Sequence, residues 1–282
     1  MFVSLLLTLL AAAPADAVAK APSAAPTLQE RLSQENLADA RQWDMYLDAS
    51  RKERAELLER PVYLWTNPTK NGGQYGSVFV WTYEGRPMVV GSIFAHPVAG
   101  RRQLVHEFHS LAPTKLSAAC QDGGEVWEPK SAITLAPLAD APPPDSTPGK
   151  RLIQIRSLGR QFGGHTVDWR KQRWELRLLP QPLYRYDQPN GDAIDGALLA
   201  LVTDAGTDPE VLLLLEARKE GWHYAVVRFS DSSLYVSRGD KEIWSAVRGT
   251  DEQQEFNAAH TYRVFKKRFL EEPIEATEVQ QP

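Results

Sequence analysis

The sequence contains a single cysteine, Cys120, among its 282 residues. One thiol cannot form an intrachain disulfide, so the fold must be held by a hydrophobic core, and a chain of this length is long enough to bury one. We interpret Cys120 as an inert, partly buried side chain. The alternative is a nucleophile that a nearby histidine activates.

Runs of a single charge sign are also absent. The formal net charge is −4, with 32 basic residues interspersed among 36 acidic ones. A nucleic-acid partner or an anionic membrane requires a basic surface, so we expect neither. The sequence has no G-x-S-x-G nucleophile motif, no phosphate-binding glycine loop and no zinc-ligand spacing, and we predict no cofactor and no bound metal.

The long apolar run is confined to the N-terminus. It spans 2–13 and is followed at 15–17 by Ala-Asp-Ala, a small-x-small pattern typical of signal-peptide cleavage. We expect cleavage after Ala17, with Ala19 as the alternative, and export to the periplasm or the cell exterior. The run is too short to span a bilayer, which takes about 20 residues, and no transmembrane segment is expected after cleavage.

The two halves of the chain carry similar motifs in the same order. "RKERAEL" at 51–57 is echoed by "RKQRWEL" at 170–176, and "PVYLWTNP" at 61–68 by "PLYRYDQP" at 182–189. The remaining correspondences continue at a similar spacing: Gly76 with Gly196, Pro87 with Pro209, and Phe108 with Phe229. Ordered self-similarity of this kind predicts a tandem duplication.

The repeat divides the chain into segments. We expect a signal peptide (1–17), an Ala/Pro leader (18–27), a first unit (28–135), a proline-rich linker (136–149), a second unit (150–270) and a disordered tail (271–282).

Each unit is predicted to open with a helix. Thr27 and Glu30 have the spacing of a capping box before the first helix, and the second is expected over 150–162, ended by Gly163 and Gly164. Strands are expected at 43–48, 54–66, 75–83, 87–95 and 101–110, and then at 173–186, 196–203, 210–217, 222–229 and 232–237.

Several of these strands are apolar at odd and even positions alike, so both faces must be covered. The unit's own helix would cover one face and the sister unit the other. We therefore predict the α+β class: a tandem duplication of a helix plus antiparallel β-meander unit, with the two units packed about a pseudo-twofold axis.

Four segments together resemble a family of exported bacterial proteins that has no established activity. They are "WTNP", "FVWTYEGRP", "HEFHSL" and "DGALLALVTDAGTDPEVLLLLEAR", and the resemblance covers most of the chain after the signal peptide. It implies no cofactor, substrate or catalytic residue, so a functional prediction depends on the residues themselves.

The histidine-rich segment "LVHEFHSL" is the strongest candidate for chemistry. It lacks the H-E-x-x-H zinc spacing, and on a strand His106 faces one side while Glu107 and His109 face the other. With a hairpin loop at 96–100, His96 would pair near Arg101, too far along the strand to join His106. Glu107 and His109 could serve as an orienting carboxylate and a catalytic base; the alternative is a polar pair that only stabilises the sheet.

We therefore expect an exported, non-enzymatic binding or structural protein. Its ligand or partner, an unknown protein or small molecule, would be held on a sheet face or between the two units. Most of the eight tryptophans are expected in the core, but an exposed one could bind a sugar or a protein. The alternative is a hydrolase-like enzyme with Glu107 and His109 as catalytic residues in the first unit.

Overall fold

The computed structural model describes residues 26–68, 73–129, 132–188, 191–248 and 260–270. The predicted signal peptide, most of the predicted leader and the predicted tail lie outside these residues.

The described chain is mostly antiparallel β-sheet with two helices, α1 (Leu28–Ala40) and α2 (Pro148–Gly159). The strands before α2 are β1 (Trp43–Tyr46), β2 (Arg54–Leu57), β3 (Tyr63–Asn67), β4 (Gln74–Tyr83), β5 (Arg86–Val98), β6 (Arg101–Ser110), β7 (Ser117–Cys120), β8 (Val126–Trp127) and β9 (Ala136–Pro137). Those after α2 are β10 (Phe162–Val167), β11 (Arg173–Leu178), β12 (Tyr184–Tyr186), β13 (Asp195–Thr203), β14 (Pro209–Arg218), β15 (Gly221–Arg228), β16 (Ser233–Arg238), β17 (Lys241–Ala246) and β18 (Tyr262–Phe269).

These strands form two nine-stranded sheets with matching order. The first runs β18-β6-β5-β4-β2-β1-β7-β8, with β3 also paired to β4. The second runs β9-β15-β14-β13-β11-β10-β16-β17, with β12 also paired to β13. The six strands that follow α1, β1 to β6, occupy the same places in the first sheet as the six that follow α2, β10 to β15, occupy in the second.

The edge strands are exchanged between the two sheets. β9 follows β8 of the first sheet in sequence, yet it pairs with β15 of the second. β18 follows β17 of the second sheet, yet it pairs with β6 of the first. Each sheet is therefore completed by the segment that leaves the other, and the sheets cannot separate without losing edge pairing on both sides.

The central strands are buried on both faces, as their apolar pattern predicted. In β4, Val78 and Val80 face a core shared with the second sheet, while Phe79 and Trp81 face a core inside the first. In β13, the side chains that face the shared core are Leu198, Ala200 and Val202. The alternate side chains face α2 and are Ala197, Leu199 and Leu201.

Each helix covers the outer face of its own sheet. Leu37 and Ala40 of α1 pack with Trp43 and other aromatic residues of the first sheet. Ile155 and Leu158 of α2 pack against the aliphatic side chains of β13 and β14. The predicted capping box of α1 is confirmed, since Thr27 N donates to Glu30 at 2.7 Å and Glu30 N donates to Thr27 Oγ1 at 3.3 Å.

A buried ion pair joins the sheets beside the shared core. Arg86 of β5 donates to Glu216 of β14 at 3.0 Å, and Tyr186 of β12 donates to the same oxygen at 2.7 Å. The Arg86 guanidinium also donates to the Leu111 carbonyl at 2.9 Å. A buried carboxylate without such partners would cost several kcal/mol, so these contacts fix the position of one sheet on the other.

Four predicted element boundaries were wrong. The segments 54–66 and 173–186 are each two strands separated by a turn rather than one. Gly163 and Gly164 do not end the second helix but lie in β10. Position 164 requires glycine, because a Cβ there would lie 2.0 Å from the Tyr235 carbonyl oxygen of the neighbouring strand. The predicted loop at 96–100 is a two-residue turn.

That turn changes the predicted pairing of the histidine strand. Ala99 and Gly100 both have positive φ, as a tight hairpin requires. His96 therefore pairs with Gln103, and His106 pairs with Ile93. The two histidines remain three positions apart along the hairpin.

The strand positions also correct one of the correspondences predicted between the two halves of the chain. Phe108 lies inside β6, whereas Phe229 lies just beyond β15 and donates its backbone N–H to the Glu210 carbonyl. The residue in the same position of the first sheet is Leu111, which donates to Met88. Phe108 and Phe229 are thus not equivalent, because the β5–β6 hairpin is longer than the β14–β15 hairpin.

The paired glycines Gly76 and Gly196 are equivalent and yield a stability prediction. Each lies under a cross-strand aromatic ring, so an added Cβ would come within 2.2 Å of Trp65 or 2.3 Å of Tyr186. Gly76→Ala and Gly196→Ala should each lower the free energy of unfolding by about 2 kcal/mol or more, as overpacking does. Gly163→Ala, with open space around the position, should change it by less than about 0.5 kcal/mol. Urea denaturation measures all three, and equal losses would contradict the ring-over-glycine packing.

Candidate functional site

A cleft of about 900 Å³ lies between the two sheets. We call it the inter-sheet cleft. Gln74, Phe94, His96 and Glu107 of the first sheet line one side, and residues within 166–174, 203–210 and 229–233, with Arg248, line the other. Its size is that of a small-molecule or peptide site, and such sites often lie between structural units.

Glu107 lies at the first-sheet wall of the inter-sheet cleft. Its side chain accepts a hydrogen bond from the Tyr262 hydroxyl at 3.1 Å. Burial raises the pKa of Glu107 well above its usual range, and the negative charges of Asp208 and Asp231 raise it further. At neutral pH this carboxyl group therefore has a much larger protonated fraction than a solvent-exposed glutamate.

His109 lies in a different cavity. This smaller cavity, of about 460 Å³, is lined by His109, Arg228 and Tyr262, among others. His109 Nδ1 lies 2.8 Å from the Ser110 carbonyl oxygen, which can only accept, so this nitrogen carries the proton. Burial lowers the pKa of His109 to about 4, and the imidazole is neutral at physiological pH.

The structure does not bring Glu107 and His109 together as a catalytic pair. They project from the same face of β6, as alternation predicted, but they line separate cavities. Tyr262 lies between the two, since it lines the smaller cavity and donates to Glu107. Among the described residues no hydrogen bond joins the carboxylate to the imidazole.

His106 points into the core of the first sheet, on the opposite face as predicted. Its Nδ1 accepts from Trp43 Nε1 at 3.0 Å, and its Nε2 lies 3.1 Å from Asp39 Oδ2. Asp39 in turn pairs with Arg268 of β18 at 2.9 Å. Burial lowers the pKa of His106. These contacts give His106 a structural role, linking α1, β1, β6 and the exchanged strand β18.

Most tryptophans are core residues, but Trp169 is not. Trp43, Trp65, Trp81, Trp127 and Trp222 are fully buried. Trp169 is 62% exposed and lines the inter-sheet cleft in the turn between β10 and β11. The Arg170 guanidinium lies 4.7 Å from the centre of its ring.

Cys120 is buried in the first sheet. Burial raises the pKa of its thiol, and the Lys267 ammonium lies 3.6 Å from its sulfur. A raised pKa disfavours the reactive thiolate, which fits the inert interpretation better than the nucleophilic one.

Within the described ranges, no group of three or more His, Cys, Asp or Glu side chains has an arrangement that could hold a metal ion. Neither described helix is long and apolar enough to cross a membrane. No protein-family model, curated protein or solved structure matches the chain. Membership of the exported family therefore stays a prediction.

The depressed pKa of His109 predicts how stability depends on pH. Well above pH 6.5 the imidazole is neutral in both the folded and the unfolded state and does not affect the free energy of unfolding. As the pH falls towards 4, the unfolded chain takes up a proton that the folded chain refuses. Between pH 7.5 and 4.5 the free energy of unfolding should therefore fall by about 2 kcal/mol more in the wild type than in His109→Asn.

Urea denaturation of both proteins at the two pH values measures this difference. Asparagine can still donate to the Ser110 carbonyl, and all other titrating groups are common to both chains. Equal pH dependence in the two proteins would show that His109 is not buried in the neutral form.

Proposed function

We propose that this protein is a non-enzymatic binding protein that holds its ligand in the inter-sheet cleft. The observation that carries the proposal is a cleft of about 900 Å³ that both sheets border. A shared core and the Arg86–Glu216 pair fix the position of one sheet relative to the other. A cleft with such fixed walls is preorganised, and preorganisation reduces the entropic cost of binding. Polar groups and the exposed Trp169 provide the contacts.

The hydrolase alternative draws support from Glu107. A carboxyl group with a raised pKa in a cleft is a candidate general acid. The predicted pairing of Glu107 with His109 gives the hydrolase alternative less support, because His109 lies in the smaller cavity and its low pKa makes it a weak base. A hydrolytic role would have to rely on Glu107 and the carboxylates across the cleft.

We propose further that the two halves are a tandem duplication related by a pseudo-twofold axis. The matching strand order of the two sheets supports this, and so do the paired ring-over-glycine contacts at Gly76 and Gly196. The exchange of β9 and β18 is the arrangement expected if two copies of one unit had first associated by swapping their last strands.

Export to the periplasm or the cell exterior is part of the proposal. The apolar run at 2–13 and the cleavage pattern at 15–17 support it.

A blocked-cleft variant tests the binding function. Ala205 lines the cleft in a partly exposed turn, so Ala205→Trp should fill it. We expect members of a library of amines, saccharides, nucleotides and peptides to raise the melting temperature of the wild type, because a ligand that binds only the folded state stabilises it. They should not stabilise Ala205→Trp.

Lys219→Trp, at an exposed turn that does not border the cleft, is the matched control and should respond as the wild type does. A library without any stabilising compound, or stabilisation that persists in Ala205→Trp, would contradict the proposal.

A further inference from the structure

The smaller cavity lies where the second sheet curls towards its own far edge. β15 and β17 lie near opposite ends of the strand order of that sheet, yet residues of both strands line the cavity. The first sheet closes the remaining side with His109 of β6 and with residues 260–262, where β18 begins. The backbone N–H of Ser110 donates to the Thr261 carbonyl at 2.8 Å, so this side of the cavity is held in place.

His109 gives this cavity a hydrogen-bond acceptor. Its side chain projects towards the second sheet, because its cross-strand neighbour Val90 faces the shared core, and it is only 9% exposed. Nδ1 donates to the Ser110 carbonyl at 2.8 Å, which leaves a lone pair on Nε2 at the far side of the ring. Nε2 has no hydrogen-bond partner among the described residues. It is therefore available to a donor that enters the cavity.

The charge around this acceptor is positive. Burial lowers the pKa of His109 to about 4, and the charge of Arg228 lowers it further, so Nε2 stays unprotonated at physiological pH. Arg228 is the only Lys, Arg, Asp or Glu among the described residues that line the cavity. Its charge disfavours a cationic ligand and stabilises negative charge on a nearby oxygen. A hydroxyl group that donates to His109 gains such charge, and a phenol gains more of it than an aliphatic alcohol.

Much of the remaining wall of the smaller cavity is aromatic or aliphatic. Its larger side chains are Tyr224, Val226, Ile243, Trp244 and Tyr262. Tyr262 is buried and the other four are half-buried, so the wall still presents apolar surface to the cavity. An aromatic ligand can pack against such rings edge to face or with an offset. The volume of about 460 Å³ lies within the range of small-molecule sites.

We propose that the smaller cavity binds a small neutral phenol, whose hydroxyl group donates to His109 Nε2 and whose ring packs against the aromatic wall. This is a second site, and it does not depend on the function proposed for the inter-sheet cleft. The acceptor, the cation and the rings together select this class. An alkylammonium ion would be repelled by Arg228, and a hydrocarbon would leave Nε2 buried without a donor, which costs free energy.

Titration of the purified chain with 4-fluorophenol and 4-fluorotoluene, followed by fluorine NMR, tests the ligand class. The two probes have nearly the same shape, but a methyl group replaces the hydroxyl in the second. 4-Fluorophenol should bind about tenfold more tightly or better, because a site with a buried acceptor discriminates against an analogue that lacks the donor. Equal affinity for the two probes, or no binding of 4-fluorophenol, overturns the proposal.

His109→Asn tests the contact itself. Asparagine can still donate to the Ser110 carbonyl but has no acceptor at the position of Nε2, so 4-fluorophenol should bind about tenfold more weakly while 4-fluorotoluene changes much less. Equal losses for the two probes would show that the imidazole only shapes the cavity.

Nitrogen NMR of the wild type labelled at histidine provides a measurement that needs no variant. The signal of the unprotonated His109 Nε2 should shift when 4-fluorophenol is added and not when 4-fluorotoluene is added. An unchanged signal at saturating 4-fluorophenol would overturn the assignment of His109 to the site.

Matched tryptophan substitutions locate the bound phenol. Ala136 of β9 lines the smaller cavity and is exposed, so Ala136→Trp should block it. Ala139→Trp, exposed in the following turn and outside the cavity, should bind 4-fluorophenol as the wild type does, and so should Ala205→Trp. If Ala205→Trp abolishes binding and Ala136→Trp does not, the phenol occupies the inter-sheet cleft. This inference is then wrong, while the binding function proposed for the cleft stands.

Discussion

The burial of both faces of the central strands is the constraint on which the rest of the structure depends. Val78 and Val80 face the second sheet while Phe79 and Trp81 face the interior of the first. Neither sheet could stand alone in water, because separation would expose a full layer of apolar side chains at about 25 cal/mol per Å². Two requirements follow: each sheet needs a helix on its outer face, and the two sheets need each other. The chain satisfies the second with a shared core, the buried Arg86–Glu216 pair and two exchanged edge strands.

The same constraint explains where the cleft lies. The sheets have matching strand orders but unequal hairpins, since β5 and β6 are longer than β14 and β15. The longer hairpin supplies Phe94, His96 and Glu107 as one wall, and the turns of the second sheet supply the other. Beyond the apolar part of the interface, charged and polar side chains line the cleft. The packing that stabilises the fold also fixes the two walls of this proposed binding site.

Local pattern predicted much of the fold. The capping box at Thr27 and the long strands β4, β5, β13 and β14 all lie close to where the sequence predicts them, because each is determined by neighbouring residues. The exchange of β9 and β18 could not be predicted, since it depends on contacts between distant segments, about 87 positions apart for β9 and more than 150 for β18. The surroundings of the candidate site were harder to predict from sequence for the same reason. Glu107 was singled out, but Tyr262 comes from another part of the chain, so its surroundings appear only after folding.

Differential scanning calorimetry of the purified chain tests the central claim that the two sheets form one body through their shared core. If both sheets depend on one another, they unfold together, and the calorimetric enthalpy should equal the van 't Hoff enthalpy in a single transition. The Glu216→Leu variant removes a partner of the buried pair between the sheets and should move that whole transition to lower temperature without splitting it. Two resolved transitions in the wild type, each with its own enthalpy, would show that the sheets are independent domains and would contradict this account.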